Sequence, residues 1–370
     1  MVSMKKKTTE QEKLQHFKYL PEKYWFSHQF CFFLHDQLVQ IIASGERDRI
    51  FNVTIQFKDK EEFEKFQKAS KKLSEEKFWN WLENNGYEEI VYNLTYRQIC
   101  AALISDLCHF VYEALDCSKK EKLTVTYALL RKPFKENLFY LEWLLTDPED
   151  LLRKFHFNGI ESLIVSGVGA ISPQKKKEII KKAMKKTDYG EWIDSDFIYE
   201  LRYDKKAVYG LEQLWQRANH LITSYKFLET EEKNFNFVFS TSKDHISQWD
   251  HLYSFLPLLL YHALEIAQAL IGTFTTIENE EEQNIIGLRT TIGFLLWMEK
   301  RPRPIKVDAL INIVNSFENT KICCPRCKKP LPFKKKDLIL FCEKGVIKCR
   351  RCRYKIELDV IFGNDWKEEK

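Results

Sequence analysis

Cys324-Pro325-Arg326-Cys327 is answered, across 21 intervening residues, by Cys349-Arg350-Arg351-Cys352. Each Cys-x-x-Cys brings two thiolates to one tight turn, and two such turns supply the four soft ligands a tetrahedral structural zinc takes. The spacing therefore predicts one structural Zn2+ per chain, held by Cys324, Cys327, Cys349 and Cys352. Between the pairs, Leu338-Ile339-Leu340-Phe341 and Val346-Ile347-Lys348 are rich in residues favoured in strands, with Gly345 available for a turn. Arg353-Tyr354-Lys355-Ile356-Glu357-Leu358 then alternates polar and apolar, as a third strand would. So short a segment cannot bury a self-sufficient core, and the metal would supply much of its folding free energy. Cys323 could stand in for Cys324, which has the better spacing, and Cys342 reads as a buried bystander thiol. The alternatives are four unligated thiols, or disulfides. Disulfides need an oxidising compartment, and the start Met1-Val2-Ser3-Met4-Lys5-Lys6-Lys7 has no apolar signal region.

Those residues together resemble the zinc-ribbon family over about residues 321–362, which implies two knuckles pinning a small β-sheet. The charge of this end is lopsided. Residues 321–356 carry 13 Lys and Arg against Asp337 and Glu343, a balance of +11 in a chain of net charge +5. A basic module on an otherwise acidic chain is the pattern of a surface that meets phosphate. Arg326, Lys334, Lys335, Lys336, Arg350, Arg351 and Arg353 are the expected contacts to DNA or RNA, with Phe333 and Tyr354 as stacking faces. The alternatives are a solvated basic surface, or one that docks on an acidic protein partner, on the acidic body or on a second copy of the chain.

Working outward, the rest of the chain has few breakers: 12 Gly and 10 Pro in 370 residues, with 44% hydrophobic and 14% aromatic content. That composition disfavours an all-β chain and can fill a large core. The fold expected is mainly α: a multi-helix, bundle-like body with a few short strands, followed by a small C-terminal β zinc ribbon. The divisions expected are 1–94, a helical segment with one strand at 50–57; 95–300, the helical core; 301–320, a linker with Arg301-Pro302-Arg303-Pro304 and a short helix at 307–317; and 321–362, the ribbon. Residues 123–145 read as one long helix. Ser172-Pro173 opens another, lysine-rich through 186 and able to lie on phosphate or simply on solvent. Asn234-Phe235-Asn236-Phe237-Val238-Phe239 reads as an extended, strand-like stretch. No uninterrupted apolar run reaches the length of a membrane span, the best covering 252–264 before Glu265. A cytoplasmic protein without membrane contact is expected.

No glycine-rich phosphate loop, nucleophile elbow or His-Glu-x-x-His occurs, which removes the NTPase, dinucleotide-enzyme and zincin readings. Asp106, His109 and Glu113 share a helix face, and His262 with Glu265 forms a second pair on an apolar helix. His245 and His251 each follow an aspartate. Arg97, Arg131-Lys132-Pro133 and Glu136 punctuate the apolar runs Tyr127–Arg131 and Leu138–Leu145. Over about residues 95–300 these helices resemble HEPN-type domains of bacterial defence and toxin systems. That resemblance implies a metal-independent ribonuclease using Arg and His. Arg217 and His220 would be the catalytic pair, Arg153 and His156 a second candidate, each pair sharing a helix face. Arginine would hold a scissile phosphate while histidine acts on the 2′-hydroxyl. A non-catalytic helical domain is the plainer reading.

Overall fold

The computed structural model describes residues 17–157, 159–187, 193–224, 229–275, 280–299, 323–331, 334–344 and 346–357. Within them the chain is mainly α-helical, as its composition predicts. A long first helix, α1 (Trp25–Arg47), is followed by two short ones, α2 (Lys60–Lys72) and α3 (Glu75–Glu83). Next comes α4 (Glu88–Lys119), 32 residues without glycine or proline. Its buried Cys100, Ile104, Leu107, Cys108, Val111, Ala114 and Leu115 repeat at three and four residues, the period of one helix face. α4 packs beside α1 and α5 (Leu123–Lys132). It also runs unbroken across the division expected at 94/95, and α1 shares one apolar core with the later helices.

α11 (Ser242–Gly272) is the central element. A reciprocal capping box, Thr241 with Asp244, starts it, and almost every residue from Leu256 to Ala267 is buried. Pro257 lies inside it and cannot bond the carbonyl four residues back. That carbonyl, on Tyr253, instead accepts from the Trp297 indole at 2.9 Å. Trp297 belongs to α12 (Glu280–Met298). Gly293 on the same helix lets α1 approach closely, since a Cβ there would meet the Phe30 ring at 2.3 Å. By length and composition α4 and α11 could each cross a membrane, which corrects the expectation drawn from uninterrupted runs. In α11, 67% of the apolar window is buried inside the fold, against 39% in α4.

The helix expected over 123–145 is interrupted. At Pro133 the chain widens into a π-helical turn (Pro133–Asn137) before α6 (Leu138–Thr146). Carbonyls there turn sideways: Phe134 O accepts from Arg202 Nε and Lys135 O from the Tyr203 hydroxyl, both at 2.7 Å. α7 (Pro148–Phe157), α8 (Pro173–Met184), α9 (Ser195–Tyr203) and α10 (Leu211–Asn219) surround this turn and α6. Ser172 caps α8 as the sequence predicts, accepting from the Lys175 amide.

Three expected strands take other forms. Residues 52–57 have no regular structure, and the Arg97 guanidinium ties the start of the segment by bonding Ile50 O and Asn52 O. Residues 236–239 form a turn, with Phe237 at φ 63° in the left-handed region. Leu338–Phe341 lies in a helix, α13 (Lys335–Lys344), capped by Asp337 accepting from the Lys334 amide. Leu338, Phe341 and Cys342 are three and four residues apart, so one face of α13 buries all three against Ile292 and Leu296 of α12. An apolar neighbour thus overrides strand propensity. Behind α13 come β1 (Val346–Lys348) and β2 (Lys355–Glu357), antiparallel with Ile347 opposite Ile356. The linker and helix expected at 301–320 lie outside the described residues, as do Gly345 and Phe333.

Candidate metal centre

The two Cys-x-x-Cys turns are built alike. In the first, the Lys328 amide bonds Cys324 O at 2.7 Å and the Cys324 amide bonds Lys329 O at 2.9 Å. In the second, the Arg353 amide bonds Cys349 O and the Cys349 amide bonds Tyr354 O, both at 2.9 Å. Each turn closes with the residue after its second cysteine in the left-handed region, Lys328 at φ 56° and Arg353 at φ 60°. This geometry aims four sulfurs at one point. All lie within 4.8 Å of one another, with Cys324 to Cys352 at 3.4 Å and Cys327 to Cys349 at 3.7 Å. A tetrahedron of sulfurs about 2.3 Å from a zinc has edges of about 3.8 Å, whereas a disulfide needs about 2.05 Å. The spacing fits a metal, and all four cysteines are free thiols.

The electrostatics agree with thiolate ligands. Amides of Cys352 and Arg351 point at the Cys349 sulfur and pull its pKa down to about 6. Burial opposes ionisation of Cys324, yet the amides of Cys327 and Arg326 still lower it. For Cys352 the Tyr354 amide favours the thiolate, but burial and three neighbouring sulfurs push the pKa up to about 12. Four sulfurs this close cannot all ionise without a cation between them. Cys323, exposed and bridged to Pro330, stands outside the cluster. Cys342 is buried, with its sulfur 3.7 Å from Arg289 O, and is the bystander the sequence predicts.

This centre is fastened to the body through α13. Arg289 of α12 donates to Cys342 O from Nε at 3.3 Å and Nη2 at 3.0 Å, and its guanidinium lies 4.3 Å from the Phe33 ring centre. Ile292, Leu296 and Phe26 complete the seam. Sequence reasoning missed these residues, because nothing local marks them as a receptor for a segment some fifty positions on. Of the seven expected phosphate contacts, two are already paired: Lys335 with Glu299 at 2.6 Å, and Arg350 with Asp337. Arg326, Lys334, Lys336, Arg351 and Arg353 are exposed, and among the described residues their side chains have no ion-pair partner.

The histidine candidates in the body disperse. Asp106 bonds Lys132 and Asn137, while His109 and Glu113 line a separate groove of about 560 Å³ with His35 and Glu46. His245 bonds Glu121 across the chain, and burial drops His251 to about 4. Arg217 sits in the last turn of α10, but His220 is its cap, with extended backbone and an exposed ring. The helix ends one residue too early for the pair to share a face. Arg153 and His156 do both lie on α7, where Arg153 bonds Asp150.

His262 instead joins a buried ionic group. Its Nε2 lies 2.6 Å from Glu142 Oε1, which also pairs with Arg202 Nη1 at 2.6 Å, all three side chains fully buried. Burial alone would raise the Glu142 pKa, but Arg202 and His262 outweigh it and hold the carboxyl below its ordinary value. Nearby, Lys135 and Glu212 form a second buried pair at 2.6 Å. The signal for this group was a glutamate inside the apolar run Leu138–Leu145. No protein-family model, curated protein or solved structure matches the chain.

Proposed function

We propose that the C-terminal segment is a zinc-bound module, fixed to the helical body, whose basic knuckle face binds the phosphate backbone of a nucleic acid. The observation that carries the metal is the set of four sulfurs, all within 4.8 Å of one another. Cys324, Cys327, Cys349 and Cys352 would hold Zn2+ as a folding element, with no position left open for chemistry. The nucleic-acid reading rests on charge. Arg326, Lys334, Lys336, Arg351 and Arg353 surround the knuckles without partners among the described residues, and exposed Tyr354 lies among them. Attachment to the body uses the apolar face of α13 and leaves these side chains outward. Such a surface recognises phosphate without reading bases, so affinity would be salt-dependent and sequence-tolerant.

The test is anisotropy with single-stranded and duplex oligonucleotides over a salt series, with zinc quantified on the same sample. About one zinc per chain is expected, with affinity falling linearly in log salt. Arg351→Gln and Arg353→Gln should each lower the slope by about one counterion. Lys335→Gln, which removes a cation already paired with Glu299, should change it less. A flat salt response rules out the phosphate reading while leaving the metal site standing.

A further inference from the structure

A cleft of about 470 Å³ lies far along the chain from the cysteines, among α4, the π turn, α6, α7 and the segment after α7. Ile99, Leu103 and Leu151 give it an apolar floor, and Glu136, Tyr140 and Ser166 contribute the polar atoms. Its rim is built. The Tyr140 hydroxyl donates to Leu163 O, Lys176 Nζ donates to Val165 O at 2.7 Å, and the Ile171 amide bonds Ile164 O at 2.8 Å. Immediately past Ser166, Gly167 and Gly169 take positive φ and lead the chain away, with Val168 between them in solvent. The rim is thus held by three bonds that leave the cleft open.

Two polar groups there can still take a ligand. Ser166 Oγ is shielded from solvent and has no hydrogen-bond partner, a position that costs free energy unless something fills it. Glu136 is ion-paired with Arg131 at 3.6 Å, and its side chain is about one-third exposed, which leaves it open to a second cation. Burial, with a smaller contribution from the Glu136 charge, raises the pKa of the neighbouring Tyr140 to about 12, and both side chains line the cleft. Apolar walls with a few convergent polar groups, in this range of volume, are the usual make-up of a small-molecule site.

We propose that this cleft binds a small organic cation: an apolar body on Ile99, Leu103 and Leu151, an ammonium at the Glu136 carboxylate, and a polar atom within reach of Ser166 Oγ. Glu136 selects for positive charge and against an anion of the same shape. The site is independent of the metal centre and of any nucleic acid.

The experiment is equilibrium dialysis of the full chain against 2-phenylethylamine, with 2-phenylethanol and 3-phenylpropionate as the neutral and anionic probes. Saturable one-to-one binding of the amine is expected, about tenfold weaker for the alcohol and weaker still for the acid, since a charge-assisted bond is lost and then reversed. Glu136→Gln should weaken the amine about tenfold and bring it level with the alcohol, and Ser166→Ala should weaken both. Glu136 is partly exposed, so its conservative replacement leaves the fold intact, which circular dichroism checks. No saturable uptake of the amine at millimolar concentration overturns the proposal. So does equal binding of amine and alcohol, or a Glu136→Gln chain that binds the amine as before.

Discussion

The helical body and the cysteine-bearing end each hold charge inside a fold, and they do so by opposite means. In the body, Glu142, Arg202 and His262 are fully buried and paired with one another through Glu142 Oε1 and with a carbonyl of the π turn, while Glu142 Oε2 is left without a hydrogen-bond partner among the described residues. A core of dozens of apolar side chains can carry that desolvation cost. The C-terminal segment, by contrast, gathers four ionisable sulfurs over a small cluster that includes Leu331, Leu338 and Phe341. It lacks the apolar area to hold thiolates together and so depends on a cation. Packing makes the first site, and a bound metal would make the second.

Stripping the metal is the sharpest way to break this contrast, because a structural zinc contributes on the order of 10 kcal/mol to the fold around it. A strong chelator, or Cys349→Ser, should abolish hydrogen-exchange protection over 335–357 and leave α4 and α11 protected. The seam at Phe26, Ile292 and Leu296 would then be uncovered and should bind a hydrophobic dye. Protection over 335–357 that survives complete metal removal would show that the segment folds on packing alone.

In the body the matching experiment is Arg202→Met. Removing one partner leaves Glu142 charged and buried, an effect of about 3–5 kcal/mol in chemical denaturation. The double variant Arg202→Met/Glu142→Leu should recover much of that loss, since it leaves no uncompensated charge. Equal losses in the single and double variants would mean that the shape of the π turn, rather than the charge, is what Arg202 supports.

Lys176 gives a smaller, pH-resolved version of the same comparison. Burial, with help from Lys135 and Arg202, lowers its pKa to about 8. The folded state therefore binds fewer protons than the unfolded chain between pH 8 and the ordinary lysine range. Stability from this group must rise with pH across that window, by at most about 1.4 kcal/mol per unit, and be lowest below pH 8. The wild type should gain on Lys176→Met in denaturation midpoint between pH 8 and 10. A constant difference would mean that Lys176 keeps its ordinary pKa.

The sequence made some of this legible and hid the rest for physical reasons. Local signals held: the cysteine spacing brought four sulfurs together, Ser172 and Thr241 cap their helices, and scarce glycine and proline announced a mainly helical chain. What failed depended on distant partners. Leu338–Phe341 has strand propensity, but an apolar face on α12 captures it as a helix. Pro133 widens its helix instead of ending it, because Arg202 and Tyr203 take up the displaced carbonyls. Arg217 and His220 were three positions apart on an assumed helix that stops at Asn219.

The smallest expected effect concerns the matched turns of the metal centre. Lys328 and Arg353 both hold positive φ at the same step after a second cysteine, a conformation that costs a side-chain-bearing residue about 1 kcal/mol and a glycine almost nothing. A metal-bound fold would enforce it, and the metal-free chain would not. Lys328→Gly and Arg353→Gly should relieve this strain in the bound state, although the extra freedom glycine gives the unfolded chain offsets part of the gain. Zinc affinity, measured by competition with a chromophoric chelator, should rise severalfold at most in either variant. Arg353→Gly also removes one of the proposed phosphate contacts, so nucleic-acid affinity should fall as zinc affinity rises. Loss of zinc affinity in both variants would show that the two side chains support the turns by contacts that outweigh backbone strain.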